Sequence, residues 1–152
     1  MMNDPDSGRV DVILSREALS VDVAHESVMR GNVGAVSVFV GTTRAFTEGK
    51  GETSQLEYDC YEDMAVAEMK RISRVAVDRW SAERVYIAHR LGVVPVSEAS
   101  VIIAVSSAHR SEAIEACRYL IDTLKQTVPI WKKEVYSDGT TEWVEGTSFG
   151  AT

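Results

Sequence analysis

The sequence predicts an α/β protein of the α+β kind, in which helices pack on a mixed, largely antiparallel sheet. Three segments carry apolar residues at the helical spacing, and several shorter runs alternate or are rich in β-branched residues. Two pairs of successive strands are hairpin-like, which is typical of antiparallel neighbours. The chain has 152 residues, of which 45% are hydrophobic, and no linker or repeat, so we expect one domain with a substantial core.

Short apolar runs separate polar stretches in the first sixty residues. Ser20 or Asp22 precedes an apolar stripe and is suited to cap a helix, and a dense β-branched run predicts the strand that follows. A polar stretch with two glycines predicts a mobile loop, which carries Arg44. In order, we expect a disordered tail over residues 1–8, a strand over 10–14, a helix ending near 29, a strand over 34–41, a loop over 42–52 and a strand over 55–60.

The remaining residues contain the two long helices, each with one apolar face. The run before the second of them is apolar almost throughout, which predicts a buried strand. Asp138-Gly139 is a turn signal and predicts a hairpin. In order, we expect a helix over residues 62–80, a strand over 83–91, a turn-bounded connector over 94–96, a strand over 100–107, a helix over 111–125 and strands over 130–136 and 141–144. A single domain is predicted over 9–146, with a tail over 147–152.

Composition disfavours several functions. Sixteen Lys and Arg against 23 Asp and Glu give a net charge of 16 − 23 = −7, which argues against general nucleic-acid binding. No apolar run approaches a membrane span and the N-terminus does not resemble a signal peptide, so a cytoplasmic protein is expected. Cys60 and Cys117 form no CxxC and lie at no metal-ligand spacing from a histidine, so no metal site is predicted. Cys117 is expected to be buried, and Cys60 is a weak candidate for a nucleophile.

A basic cluster surrounds Pro129 in this otherwise acidic chain. Lys125 is expected to end the second long helix, because Pro129 has no N–H to donate and its ring clashes with the preceding turn. Side chains alternate in the strand that follows, so Lys132 lies on one face while Trp131 and Lys133 share the other. Lys125 and Lys132 then point into one pocket, where two ammonium groups suit an anionic substrate or a developing negative charge. The alternative is that they are ordinary surface lysines.

Two other strand ends carry candidate anion-binding residues. His109 and Arg110 precede the second long helix, where backbone N–H groups and the helix dipole attract an anion. Arg44 follows another strand, and its guanidinium suits a phosphate or carboxylate. The local sequence leaves open that His109 only ends a strand and that Arg110 is solvated. His25 and His89 have no supporting neighbours and are interpreted as structural.

These candidates are too far apart to form one small site within a single chain. His109 and Lys125 are sixteen residues apart on one helix, a separation of roughly 24 Å at ~1.5 Å per residue. Either these residues serve different sites, or a second subunit completes the pocket. We expect the latter, a symmetric dimer with composite sites.

Taken together, these segments resemble the MoaE family, the large, catalytic subunit of molybdopterin synthase. Each motif is modest alone, but their order and spacing across residues 10–145 are specific. The motifs are FVGTTR at 39–44, LEYDCY at 56–61, HRLG at 89–92, SAHR at 107–110, KQTVPIWKKE at 125–134 and WVE at 143–145.

The resemblance implies a fold of the hammerhead type and an enzyme that needs no cofactor. In this family a homodimer forms the centre of a heterotetramer with a small ubiquitin-like sulfur-carrier subunit (MoaD-like). The carrier's C-terminal Gly-Gly thiocarboxylate enters a pocket of the large subunit. Its sulfur is transferred to cyclic pyranopterin monophosphate (precursor Z), which forms the dithiolene of molybdopterin in molybdenum cofactor biosynthesis.

Position by position, the resemblance implies that Lys125 is catalytic and that Lys132 is a second pocket lysine that holds the substrate or the carrier tail. Arg44, His109 and Arg110 match the residues that bind the pterin phosphate. Lys125 could transfer a proton or stabilise acyl and sulfur intermediates, and the sequence does not separate these roles. Residues 46–50 match no transferable role.

Two other functions stay open on the sequence. One is a non-catalytic pterin- or nucleotide-binding dimer that keeps the basic pocket, and the other is a scaffold for a ubiquitin-like partner. The joint presence of Arg44, His109, Arg110, Lys125 and Lys132 favours the enzyme over both.

Overall fold

The computed structural model describes residues 8–144 and forms eight strands and three helices there. All the predicted helices and strands are present, with ends that move by no more than two residues. In chain order the elements are β1 (Val10–Ser15), α1 (Val21–Val28), β2 (Ala35–Thr42), β3 (Thr53–Cys60), α2 (Glu62–Trp80), β4 (Arg84–Arg90), β5 (Gly92–Pro95), β6 (Ala99–Ser107), α3 (Arg110–Thr127), β7 (Ile130–Tyr136) and β8 (Thr141–Val144). Of the predicted tails, only Gly8 lies within the described residues. None of the three helices is long and apolar enough to cross a membrane.

The strands form two four-stranded sheets, where the sequence predicted one. The first sheet has the order β1-β4-β6-β2, in which β1 is parallel to β4 and the other pairs are antiparallel. The second has the order β5-β3-β7-β8 and is antiparallel throughout. The mixed, largely antiparallel α+β class is therefore confirmed, and its strands are divided between two sheets.

The prediction of a turn-bounded connector over residues 94–96 is wrong, because the short strand β5 occupies most of this region. It pairs with β3, so that Pro95 lies opposite Gln55 and Gly92 lies opposite Tyr58. Glycine and proline are turn signals in a sequence, and Gly92 does have a φ of +78°. The strand lies at the edge of its sheet, where a proline has no ladder hydrogen bond to donate.

The main core lies between the first sheet and the two long helices. α2 and α3 pack against one face of this sheet and against each other, while α1 covers the opposite face. Alternation along β4 divides its side chains, so that Val85 and Ile87 join the main core and Tyr86 and Ala88 pack under α1. His89 continues the main-core side at the end of the strand. The predicted buried strand is β6, whose residues from Ser100 onward are all buried.

Gly34 holds the start of β2 against the turn that leads into α3. Its N–H donates to the carbonyl oxygen of Ser107 at 3.0 Å, and a Cβ added here would collide with the backbone carbonyl of Ala108. We expect Gly34→Ala to lower the free energy of unfolding by about 1–3 kcal/mol, because a backbone atom cannot rotate away. Chemical denaturation would measure this loss. Gly31→Ala is the control, since nothing lies within 4 Å of a Cβ there, and equal losses from both variants would contradict the explanation.

Candidate functional site

A cavity of about 540 Å³ opens where the two sheets meet the C-terminal end of α3. Its walls come from the ends of β2, β4 and β8, the start of β6, the end of α3, the strands β3 and β7, and the loop after β2. Four cationic side chains and one carboxylate contribute to the lining. The lining residues are Phe39, Val40, Gly41, Thr42, Arg44, Thr47, Lys50, Leu56, Tyr58, His89, Ser100, Val101, Ile121, Leu124, Lys125, Ile130, Trp131, Lys132, Glu134 and Val144.

Strand β7 directs one of two adjacent lysines into the cavity and the other away from it. Lys132 lines the cavity. Lys133 points to the other face, where its Nζ lies 2.8 Å from a carboxylate oxygen of Glu57 and 5.6 Å from the centre of the Trp143 ring. The division between the two lysines is the one that strand alternation predicted. Trp131 was assigned to the outer face, yet it also contributes to the lining.

The last turn of α3 supplies Lys125, two residues before the helix ends. The N–H of Val128 donates to the carbonyl oxygen of Leu124 at 3.1 Å and closes the helix, and Pro129 prevents its continuation. Lys125 is exposed and lines the cavity beside Leu124. The structure therefore brings Lys125, Lys132 and Arg44 to one cavity.

Burial and neighbouring cations hold the pKa of Lys132 below its usual value. Burial is the largest cause, and the charges of Lys125, Arg44 and Lys50 act in the same direction. The carboxylate of Glu134 opposes them. Because an anion bound among these cations would relieve their mutual repulsion, the cavity favours a negatively charged ligand.

Lys50 ties the loop after β2 to the hairpin formed by β7 and β8. Its Nζ lies 3.1 Å from a carboxylate oxygen of Glu134 and 3.6 Å from one of Glu142, and the Tyr136 hydroxyl lies 2.8 Å from each carboxylate. Burial works to raise the pKa of Glu134, but the hydrogen bonds from Tyr136 and Lys50 outweigh it and lower that pKa. Sequence reasoning gave this part of the loop no role and missed both Lys50 and Glu134.

His89, interpreted from the sequence as structural, is buried but also lines the cavity. It is 4% exposed, and its Nδ1 lies 2.9 Å from the carbonyl oxygen of Arg90. A carbonyl only accepts, so Nδ1 carries the proton. Burial first, and then the charges of Lys125 and Lys132, lower the pKa of His89 to about 4 despite the bond to Arg90. At neutral pH the ring is therefore neutral and its Nε2 is unprotonated.

His89 is expected to make the fold less stable in mild acid. Its pKa falls from 6.5 in the unfolded chain to about 4 in the folded protein, so between these values the unfolded chain binds the extra proton. The free energy of unfolding should decrease by roughly 3 kcal/mol as the pH falls from about 6.5 to about 4, at about 1.4 kcal/mol per pH unit. Urea unfolding from pH 4 to 7 measures this slope. The non-titrating variant His89→Asn should flatten it, and an unchanged slope would show that other groups cause it.

The structure does not bring His109 and Arg110 to this cavity. His109 is the N-cap of α3 and Arg110 is its first residue, and both are exposed. The helix has 18 residues, so its ends are ~27 Å apart. Within one chain, His109 and Arg110 therefore belong to a different surface from Lys125, as the sequence spacing predicted.

The cysteines are not activated. Cys60 and Cys117 are both buried free thiols, and burial raises the pKa of each, that of Cys60 to about 11. Neither is a thiolate nucleophile at neutral pH. Within residues 8–144, no group of three or more His, Cys, Asp or Glu side chains is arranged to hold a metal ion.

Fold and site together define an α+β protein with a cationic cavity, built between two sheets and the end of a helix. A family model described as "MoaE protein" matches residues 14–127. The chain belongs to the MoaE family, as its motifs predicted.

Relatives and solved structures agree with this membership. The chain is 54% identical over 126 residues to the molybdopterin synthase catalytic subunit of Taeniopygia guttata, an alignment that covers 82% of this chain and 81% of that protein. It is 49% identical over 141 residues to the human molybdopterin synthase catalytic subunit, covering 92% and 74%. The crystal structure of molybdopterin synthase from Staphylococcus aureus superposes with a TM-score of 0.81 at 36% identity, covering 86% of this chain and 94% of that one.

Proposed function

We propose that this chain is the catalytic subunit of a molybdopterin synthase, which transfers sulfur from a thiocarboxylated carrier to cyclic pyranopterin monophosphate. The observation that carries the proposal is the convergence of Lys125, Lys132 and Arg44 on one cavity in a member of the MoaE family. Thiocarboxylate and cyclic phosphate are both anions, so a cavity with several cations in an acidic protein fits both.

Lys125 and Lys132 are the proposed catalytic residues. An ammonium group beside the thiocarboxylate stabilises negative charge on its sulfur and oxygen as the sulfur is transferred. The lowered pKa of Lys132 also brings this lysine closer to the range in which it exchanges a proton readily. Arg44 offers a planar, two-pronged contact to the phosphate.

The proposed partner is a small ubiquitin-like carrier whose C-terminal Gly-Gly enters the cavity. Glycines have no side chains, so such a tail can reach a site that is closed to most other sequences. We keep the prediction that the protein acts in the cytoplasm, with which its two free, buried thiols are compatible.

A second copy of this chain is proposed to complete the cavity. β2 is an edge strand of the first sheet, and its Val38 and Val40 are exposed, as is Ile114 on the adjacent helix α3. A long apolar edge strand of this kind is suited to pair with another chain. A shallow groove lined by Val38, Phe39 and Ile114 lies between this edge strand and α3, and it shares Phe39 with the cavity.

Antiparallel pairing of β2 with its symmetry mate would explain how the distant residues reach the site. The start of β2 lies beside Ser107, just before His109, whereas Gly41 at its other end lines the cavity. A two-fold axis that passes between β2 and its mate, level with the middle of the strand, puts the start of one strand next to the end of the other. The partner subunit's His109 and Arg110 would then approach the cavity near Arg44.

A reconstituted assay tests this function. The purified chain is mixed with a thiocarboxylated carrier and cyclic pyranopterin monophosphate, and molybdopterin is detected as its fluorescent oxidised derivative. We expect product with the intact carrier and none with a carrier that lacks its last two glycines. If the carrier and the pterin bind but no product forms, the chain is a binding module and not a synthase.

A further inference from the structure

One wall of the cavity carries no charge. We call His89, Tyr58 and Ser100, which all line the cavity, the neutral wall. His89 is 4% exposed and Ser100 is 6% exposed, and the rings of Tyr58 and His89 meet edge to face with their centres 5.0 Å apart. Lys125, by contrast, is exposed, so the cavity has a charged, accessible part and a neutral, buried part.

The hydrogen bonds of the neutral wall leave it with acceptors. Nδ1–H of His89 donates to the carbonyl of Arg90, so the lone pair of Nε2 is available. The Ser100 hydroxyl donates to the carbonyl of Gly41 at 3.2 Å. The ring N–H of His89 and the hydroxyl proton of Ser100 are thus both engaged within the protein.

The cationic part of the cavity has the opposite character, because Arg44, Lys125 and Lys132 are donors when charged. A ligand that fits both parts has an anionic group at one end and N–H donors at the other. We propose that Nε2 of His89 accepts a hydrogen bond from an N–H of the substrate's fused heterocyclic ring, which makes His89 a specificity-determining residue that orients the ring. This inference rests on the proposed function, because a pterin monophosphate combines both features.

Two substitutions separate this role from a structural one. In His89→Asn the amide nitrogen takes the place of Nδ1 and keeps the bond to Arg90, while nothing replaces Nε2. In His89→Gln the amide reaches the place of Nε2 and can still accept. The probes are neopterin monophosphate, followed by its fluorescence, and inorganic phosphate, followed by calorimetry. Thermal unfolding checks that each variant is folded, and molybdopterin synthesis is measured alongside.

We expect His89→Asn to weaken the binding of neopterin monophosphate about tenfold, as for the loss of one hydrogen bond. Its affinity for phosphate should stay within about twofold of wild type, and His89→Gln should recover most of the ring affinity. Arg44→Ala is the opposite control and should weaken both probes. If His89→Asn binds neopterin monophosphate like wild type, or weakens both probes equally, the inference is wrong while the proposed function stands. If wild type neither binds this probe nor makes product, the proposed function fails as well.

Discussion

Lys125→Ala is expected to reduce molybdopterin formation by about 10²- to 10⁴-fold, the range for removal of a residue that transfers protons. Lys132→Ala should cost about 10²- to 10³-fold, as for removal of one group that stabilises charge in the transition state. Both side chains line the cavity, in which the carrier's thiocarboxylate is proposed to meet the cyclic pyranopterin monophosphate. Rates in the reconstituted assay at saturating carrier measure these losses.

Lys133→Ala is the matched control for both substitutions. It removes the same charge from the residue next to Lys132, but Lys133 points away from the cavity toward Glu57 and Trp143. Its activity should stay within about twofold of wild type, since Lys133 and Glu57 do not line the cavity and a partly exposed ion pair contributes at most about 1 kcal/mol to stability. A loss in Lys133→Ala as large as in Lys132→Ala would mean that overall positive charge, and not the cavity, controls the rate.

The elements of the fold were predictable because their signals are local. α2 and β7 begin and end at the predicted residues, since helical periodicity and strand alternation are properties of a short window. The division into two sheets was not predictable in this way. It depends on the pairing of β3 with β7, which joins residues at least 70 positions apart, such as Cys60 and Ile130. Such a pairing leaves no pattern in either segment.

The same distinction separates the parts of the site that were found from those that were missed. Lys125 and Lys132 are seven residues apart, so a helix end and a strand start suffice to bring them together. Lys50 contacts the carboxylate of Glu134, 84 residues further along the chain. The sequence around Lys50 does not indicate this contact. His89 did leave a signal, because it follows Val85 and Ile87 at alternate positions of one strand. A polar side chain among core-facing residues destabilises the fold unless it makes a hydrogen bond or lines a cavity.

Mixed dimers of Lys125→Ala and Arg110→Ala subunits are expected to regain activity that neither variant has alone. Within one chain these residues stand at opposite ends of α3, so each cavity would combine Lys125 of one subunit with Arg110 of the partner subunit. Arg110→Ala alone should lose about 10- to 100-fold, as for a charged hydrogen bond to phosphate. Co-expression with two different tags and purification over both affinity resins isolates the mixed dimer.

The recovery expected in the mixed dimer is about half of wild-type activity, because symmetry leaves one cavity with both defects and the other with neither. If each cavity were built from one chain, every cavity in the mixed dimer would carry one defect and activity would stay low. Lys125→Ala mixed with Lys132→Ala is the control, since both lysines line the cavity of the same chain and their mixed dimer should remain inactive. Recovery in the control as well as in the test pair would show that subunit pairing, and not a shared cavity, restores activity.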